Sequence, residues 1–193
     1  MINVGNSNQQ KYENMIKTTK YFKNHRTLYF AIGSTLVMLL YTKFILGHFS
    51  RCFTLDVGTN SLGLSFYYTL DTVQNFFESR NRIQLICYNQ FLQIWDIIFA
   101  FFYAVMYASW ILCLFKTKRL FFIVPILAMI FDWVENYVEL LMLETYLNSN
   151  LVSGKMVSLG SGINSIKWSL IILTYLIILI GIMGALRIFF KKT

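Results

Sequence analysis

Four stretches of this chain, each about twenty residues long, are strongly apolar with few charges, and apolar runs of that length span a bilayer as helices. No other property constrains the fold as strongly, because in lipid the backbone must satisfy its own hydrogen bonds, as a helix does. The runs fall at residues 27–48, 95–115, 120–143 and 167–189, and with short tails and loops they use up the 193 residues. The expected fold class is therefore all-α: an integral membrane bundle of four transmembrane helices over residues 27–189. A basic polar tail over residues 1–26 and a short basic tail over 190–193 flank it. Only 13% of the residues are charged and 56% are hydrophobic; a soluble domain carries about 25% charge.

The net charge of +8 is distributed by compartment. Lys11, Lys17, Lys20, Lys23 and Arg26 precede the first run; Lys116, Lys118 and Arg119 fill the turn between the second and third; Arg187, Lys191 and Lys192 close the chain. Arg51, Arg80, Arg82 and Lys155 are the basic residues of the opposite side, with Lys43 and Lys167 at helix ends on that side, where a lysine can snorkel. Short basic segments stay in the cytosol, which predicts both termini inside. A contiguous basic face with base-reading groups is lacking, so nucleic acid is not an expected partner. The polar, basic start and the length of the first run fit an uncleaved anchor, not a signal peptide. Tyr12, Met15, Ile16 and Phe22 share a side if the tail is helical and lies on an anionic leaflet; a disordered tail fits equally. Cys52 and Cys87 both fall near the outer interface, as a disulfide or, slightly preferred, as free thiols.

Between the first two spans, Thr69-Leu-Asp-Thr-Val-Gln-Asn-Phe-Phe-Glu-Ser predicts a short capped helix. Its Val73, Phe76 and Phe77 would face membrane or protein, making it an interfacial lid over the outer mouth. From Arg82 to Phe115 nothing breaks a helix, so the second one should project beyond the hydrocarbon. The stretch Asn148–Asn164 is rich in Ser, Gly and Asn and reads as a flexible outer loop. Gly181 and Gly184 are candidates for close helix contact.

Chemistry concentrates in the ionisable residues inside the spans. Asp132, Glu135, Asn136 and Glu139 occur at i, i+3, i+4 and i+7, which puts them on one helical face. A carboxylate at a helix centre costs roughly 2.5–3.5 kcal/mol to insert, so this stripe should face the bundle interior. Pro125 lies on the same face and could bend the helix. Asp96, Tyr103 and Tyr107 form a matching stripe, and Lys167 opens the fourth span. With the termini inside, all of these fall in one half of the bilayer, as an acidic pocket opening outward between the second, third and fourth helices. The sequence carries no cofactor motif and no metal-ligand spacing; His25 and His48 stand apart.

The pattern Asp96-x-x-Phe99-x-x-x-Tyr103, then Pro125-x6-Asp132-x-x-Glu135-Asn136, then Lys167-Trp168, resembles a loosely defined family of small four-span microbial membrane proteins of no settled activity. The resemblance covers roughly residues 64–180 and implies that the Asp and Glu-Asn positions form a shared intramembrane site. Three functions fit. The first is a bilayer protein that binds or passes a cation, a proton or a small amphiphile. The second is a carboxylate acid/base enzyme acting on a lipid or isoprenoid. The third is a structural subunit that assembles with itself or with partners, its polar residues serving as interhelical glue. The orientation is checked with cysteines placed singly at Ser7, Ser61, Thr117 and Ser153 in a background lacking the native ones. In intact cells an impermeant thiol reagent should label only Ser61 and Ser153, and labelling at Thr117 would reverse the topology.

Overall fold

The computed structural model describes residues 26–55, 61–115 and 119–190, with the side chains of 119 and 188–190 left aside. The expected amphipathic face of the tail and the lysines of the 116–118 turn lie outside these residues. Among the described residues there is no strand, and five helices account for most of the chain. These are α1 (Arg26–Cys52), α2 (Leu70–Glu78), α3 (Arg82–Leu114), α4 (Leu120–Ser149) and α5 (Gly154–Phe190). All but α2 are long and apolar enough to cross a membrane, and the chain is a multi-pass membrane protein. The four run up and down in order, so the 53–81 connection and the 150–153 turn share one end of the bundle, where Gln74 donates to the Asn150 carbonyl at 3.2 Å. We call this the loop end.

The second helix projects as expected, continuing from Arg82, but it is not regular throughout. A π-helical segment interrupts it at Phe91–Asp96, and α1 has another at Tyr41–Leu46. The two segments are joined directly, the Tyr41 hydroxyl of one donating to the Trp95 carbonyl of the other at 2.8 Å. Phe49 stacks on the Trp95 ring with centroids 3.9 Å apart, and Trp110 donates to Thr35 lower down the same seam.

The short helix α2 forms where its cap predicts, with the Thr69 hydroxyl accepting from the Thr72 amide. Val73, Phe76 and Phe77 face protein and not lipid, all of them buried; each such side chain contributes about 1.5–3 kcal/mol of burial. Arg80 is buried as well, donating to the carbonyls of Phe53 and Phe76 with its guanidinium over the Phe76 ring. Cys52 and Cys87 form a disulfide that ties the end of α1 to the start of α3, with Cα atoms 6.2 Å apart. The slight preference for free thiols is thereby overturned: α1 ends against the projecting turns of α3, which sequence separation alone does not reveal.

The largest departure concerns the expected loop at 148–164. Only a tight turn separates α4 from α5, made by Asn150 in the left-handed conformation that Asn tolerates. From Gly154 on, the Ser, Gly and Asn residues are the first turns of α5, and at Gly160 small size lets the helix pack closely. A Cβ on Gly160 would come within 2.5 Å of the Tyr68 hydroxyl and 3.1 Å of Val138. Ser161 accepts from the Tyr68 amide, and Asn164 donates to the Ser65 carbonyl at 2.6 Å. Gly181 likewise lets α5 approach Leu114 and Phe115, whereas Gly184 faces open space. Pro125 falls in the first α-helical turn of α4, where a missing amide is tolerated, so it does not bend the middle of the helix.

Candidate functional site

The early start of α5 changes the depth of its lysine. Lys167 is not the first residue of a span but lies thirteen residues in, about 20 Å along the axis from Gly154 at 1.5 Å per residue. It does not snorkel. It is 4% exposed, and its ammonium is held between the acidic residues of α4.

The α4 stripe forms as its spacing requires, with Asp132, Glu135, Asn136 and Glu139 all buried toward the bundle interior. Lys167 donates to Asp132 Oδ1 at 3.3 Å, to Glu135 Oε2, and to the Gly63 carbonyl at 3.2 Å. An ammonium has three N–H donors, and these three acceptors use them. Asp96, at the end of the π-helical segment in α3, accepts from Asn136 Nδ2 at 2.8 Å. Glu139 accepts from the Tyr88 hydroxyl. One lysine therefore faces four carboxyl groups. At an effective dielectric of about 20, two like charges about 4 Å apart repel by about 4 kcal/mol, so an all-ionised cluster needs more positive charge than Lys167 supplies.

The eight sequence-selected residues divide into two groups. Asp96, Tyr103, Tyr107, Asp132, Asn136 and Lys167 line one cavity of about 270 Å³. Its walls include Phe99, Trp168 and Tyr175, and α1 contributes Met38 and Thr42, so all four long helices enclose it, not three. Tyr107 donates to the Tyr175 hydroxyl, and Tyr103 lies beside Asp132. Glu135 and Glu139 do not line this cavity. They sit behind Lys167, fully buried, packed toward Tyr88.

Several residues at the site carried no sequence signal. The segment Ser61–Ser65, a 3-10 turn centred on Leu62–Leu64, folds back into the bundle. There Gly63 offers its carbonyl to both Lys167 and the Trp168 indole, the latter at 3.0 Å. Nothing marks this stretch except its small residues. Tyr68 follows it, buried at 3% exposure. Burial, together with nearby Glu139 and Glu135, pushes its phenol well above the ordinary value, so it remains an O–H donor.

No protein-family model matches the chain, and neither a curated protein nor a solved structure shows similarity to it.

Gly63 is where the site is most sensitive to a single added atom. A Cβ there would lie 3.3 Å from both Glu135 Oε1 and Lys167 Nζ, tighter than ordinary contact, against a carboxylate and an ammonium that hold each other. Gly63→Ala should cost about 1–3 kcal/mol, as overpacking does, and speed amide hydrogen exchange over residues 61–65. Gly162→Ala, with open space around it, should do neither. Unchanged exchange in Gly63→Ala would mean that the segment does not seat against Lys167.

Proposed function

We propose that this membrane protein binds a small amphiphile with a cationic head in the cavity between its four long helices. The observation that carries this reading is the division of labour around the cavity. Carboxyl groups of Asp96 and Asp132 lie at one part of its wall, and Phe99, Tyr103, Tyr107 and Trp168 make up much of the rest. Aromatic faces and carboxylates together suit an alkylated ammonium, by cation–π attraction and by charge. An anionic head is disfavoured, because Lys167 has already committed its donors to Asp132, Glu135 and Gly63. The volume, about 270 Å³, lies just below the usual range for ligand pockets, about 300–1,000 Å³, and suits a small guest.

Two independent features support placing the loop end outside the cytosol. Basic residues concentrate at the other end and in the tails. The Cys52–Cys87 disulfide sits at the loop end, and such bonds persist in oxidising compartments. In that orientation the cavity belongs to the outer half of the bilayer.

The test is calorimetric titration of the purified protein in nanodiscs with a short-chain alkyltrimethylammonium and with the alkyl sulfate of equal length. The ammonium should bind saturably, the sulfate should not, and Asp96→Asn or Asp132→Asn should weaken the ammonium at least tenfold. Equal binding of both probes, or affinities untouched by both substitutions, would defeat the proposal.

A further inference from the structure

The paired glutamates behind Lys167 belong to no part of the cavity, and their geometry poses a separate question. Glu135 and Glu139 are one helical turn apart on α4, both with 0% exposure. Each uses one oxygen well: Glu135 Oε2 accepts from Lys167, and Glu139 Oε2 accepts from Tyr88. The other oxygen of each, Oε1 in both cases, has no N–H or O–H donor. At i and i+4 on one helix the two carboxyl groups are nearest neighbours on the same face, and each feels the other's charge. Two carboxylates cannot bond, since both are acceptors only; a carboxylic acid and a carboxylate can. A single proton between them would satisfy both oxygens and remove the repulsion.

A third group lies nearby. The Tyr68 hydroxyl is a buried donor without a partner, set close enough to Glu139 and Glu135 to feel their charge. Among the described residues, Lys167 is the cation paired with this acidic stripe. That lysine is shared with Asp132, and both glutamates are buried away from solvent. Buried polar groups are nearly always bonded, so three unpartnered oxygens on neighbouring buried groups mark something held among them.

We propose that Glu135 and Glu139 form a proton-binding site, one proton shared between the two carboxyl groups through their unpartnered Oε1 atoms. The site has an exit. The Tyr88 hydroxyl gives its proton to Glu139 and lies 3.4 Å from Ser61 Oγ, so the serine is the donor in that contact. Ser61 also lines the cavity. Ser61 and Tyr88 thus form a two-hydroxyl relay to the Glu139 carboxyl: a proton enters from the cavity as each hydroxyl passes its own inward, and leaves when both have turned to donate outward. This inference stands whether or not the cavity takes a cationic amphiphile.

Infrared spectroscopy of the purified protein in nanodiscs at neutral pH tests it, through the C=O stretch of a protonated carboxyl group and its shift in D2O. The wild type should show such a band. Glu135→Gln and Glu139→Gln should each abolish it. Glu139→Gln replaces the shared proton with an amide N–H, so it should keep the fold and the melting temperature. Glu144→Gln, on the exposed face of α4, should leave the band intact. Tyr88→Phe should retain the band but slow its shift in D2O at least tenfold. Absence of the band in the wild type, or its persistence in the Glu135→Gln/Glu139→Gln double variant, would overturn the site. An unaltered D2O exchange rate in Tyr88→Phe would overturn the exit.

Discussion

The bundle is organised by the ammonium of Lys167, held between Asp132 and Glu135 of the facing helix. An acidic stripe inside a membrane helix is expensive, and it is tolerable only if it faces inward and meets positive charge. Placing Lys167 in the middle of α5 does both. It sets the rotation of α4, since the four polar residues must turn toward α5, and it sets the register of α5 against α4. The small residues at 160, 161 and 164 then let the loop-end halves of the two helices approach. The Ser61–Ser65 segment completes the arrangement, because the third N–H of Lys167 requires an acceptor and Gly63 brings one without a side chain in the way.

The same charge accounting separates two kinds of chemistry. On the cavity side, Asp132 and Asp96 stand among aromatic rings, with space for a guest. On the other side, Glu135 and Glu139 are fully buried and lie outside the cavity wall. Lys167 touches one residue of each group, so the two halves are electrostatically joined through a single side chain. A replacement of Lys167 by a neutral residue would disturb both at once, whereas changes at Asp96 and at Glu139 should act on opposite halves.

Much of the fold was legible because membranes enforce it. The existence of four spans, the capped helix at 70–78 and the inward-facing stripe on α4 all follow from hydropathy, cap chemistry and helical spacing. Legibility failed where the membrane rules meet tertiary packing. Ser, Gly and Asn at 153–164 read as a loop by composition, yet small residues are what close helix packing selects in lipid. That misreading moved Lys167 to a helix end and gave it solvent. Tyr88 was missed for a geometric reason. At 100° per residue its eight-residue separation from Asp96 places it roughly 80° off that stripe. The π-helical segment at Phe91–Asp96 absorbs about one residue and swings it back toward the bundle interior. Gly63 and Tyr68 reach the site through the 53–69 connection, whose path no local pattern predicts.

The central claim is that Lys167 and the α4 carboxylates form one coupled unit, and a double-mutant cycle in mixed micelles measures it directly. Lys167→Met alone should cost about 3–5 kcal/mol of unfolding free energy, because it strands a buried charge. Adding Glu135→Gln should recover part of that loss, giving a coupling energy on the order of 1–3 kcal/mol between the two positions. Strict additivity, within about 0.5 kcal/mol, would contradict the account and leave Lys167 and Glu135 as neighbours that do not depend on one another.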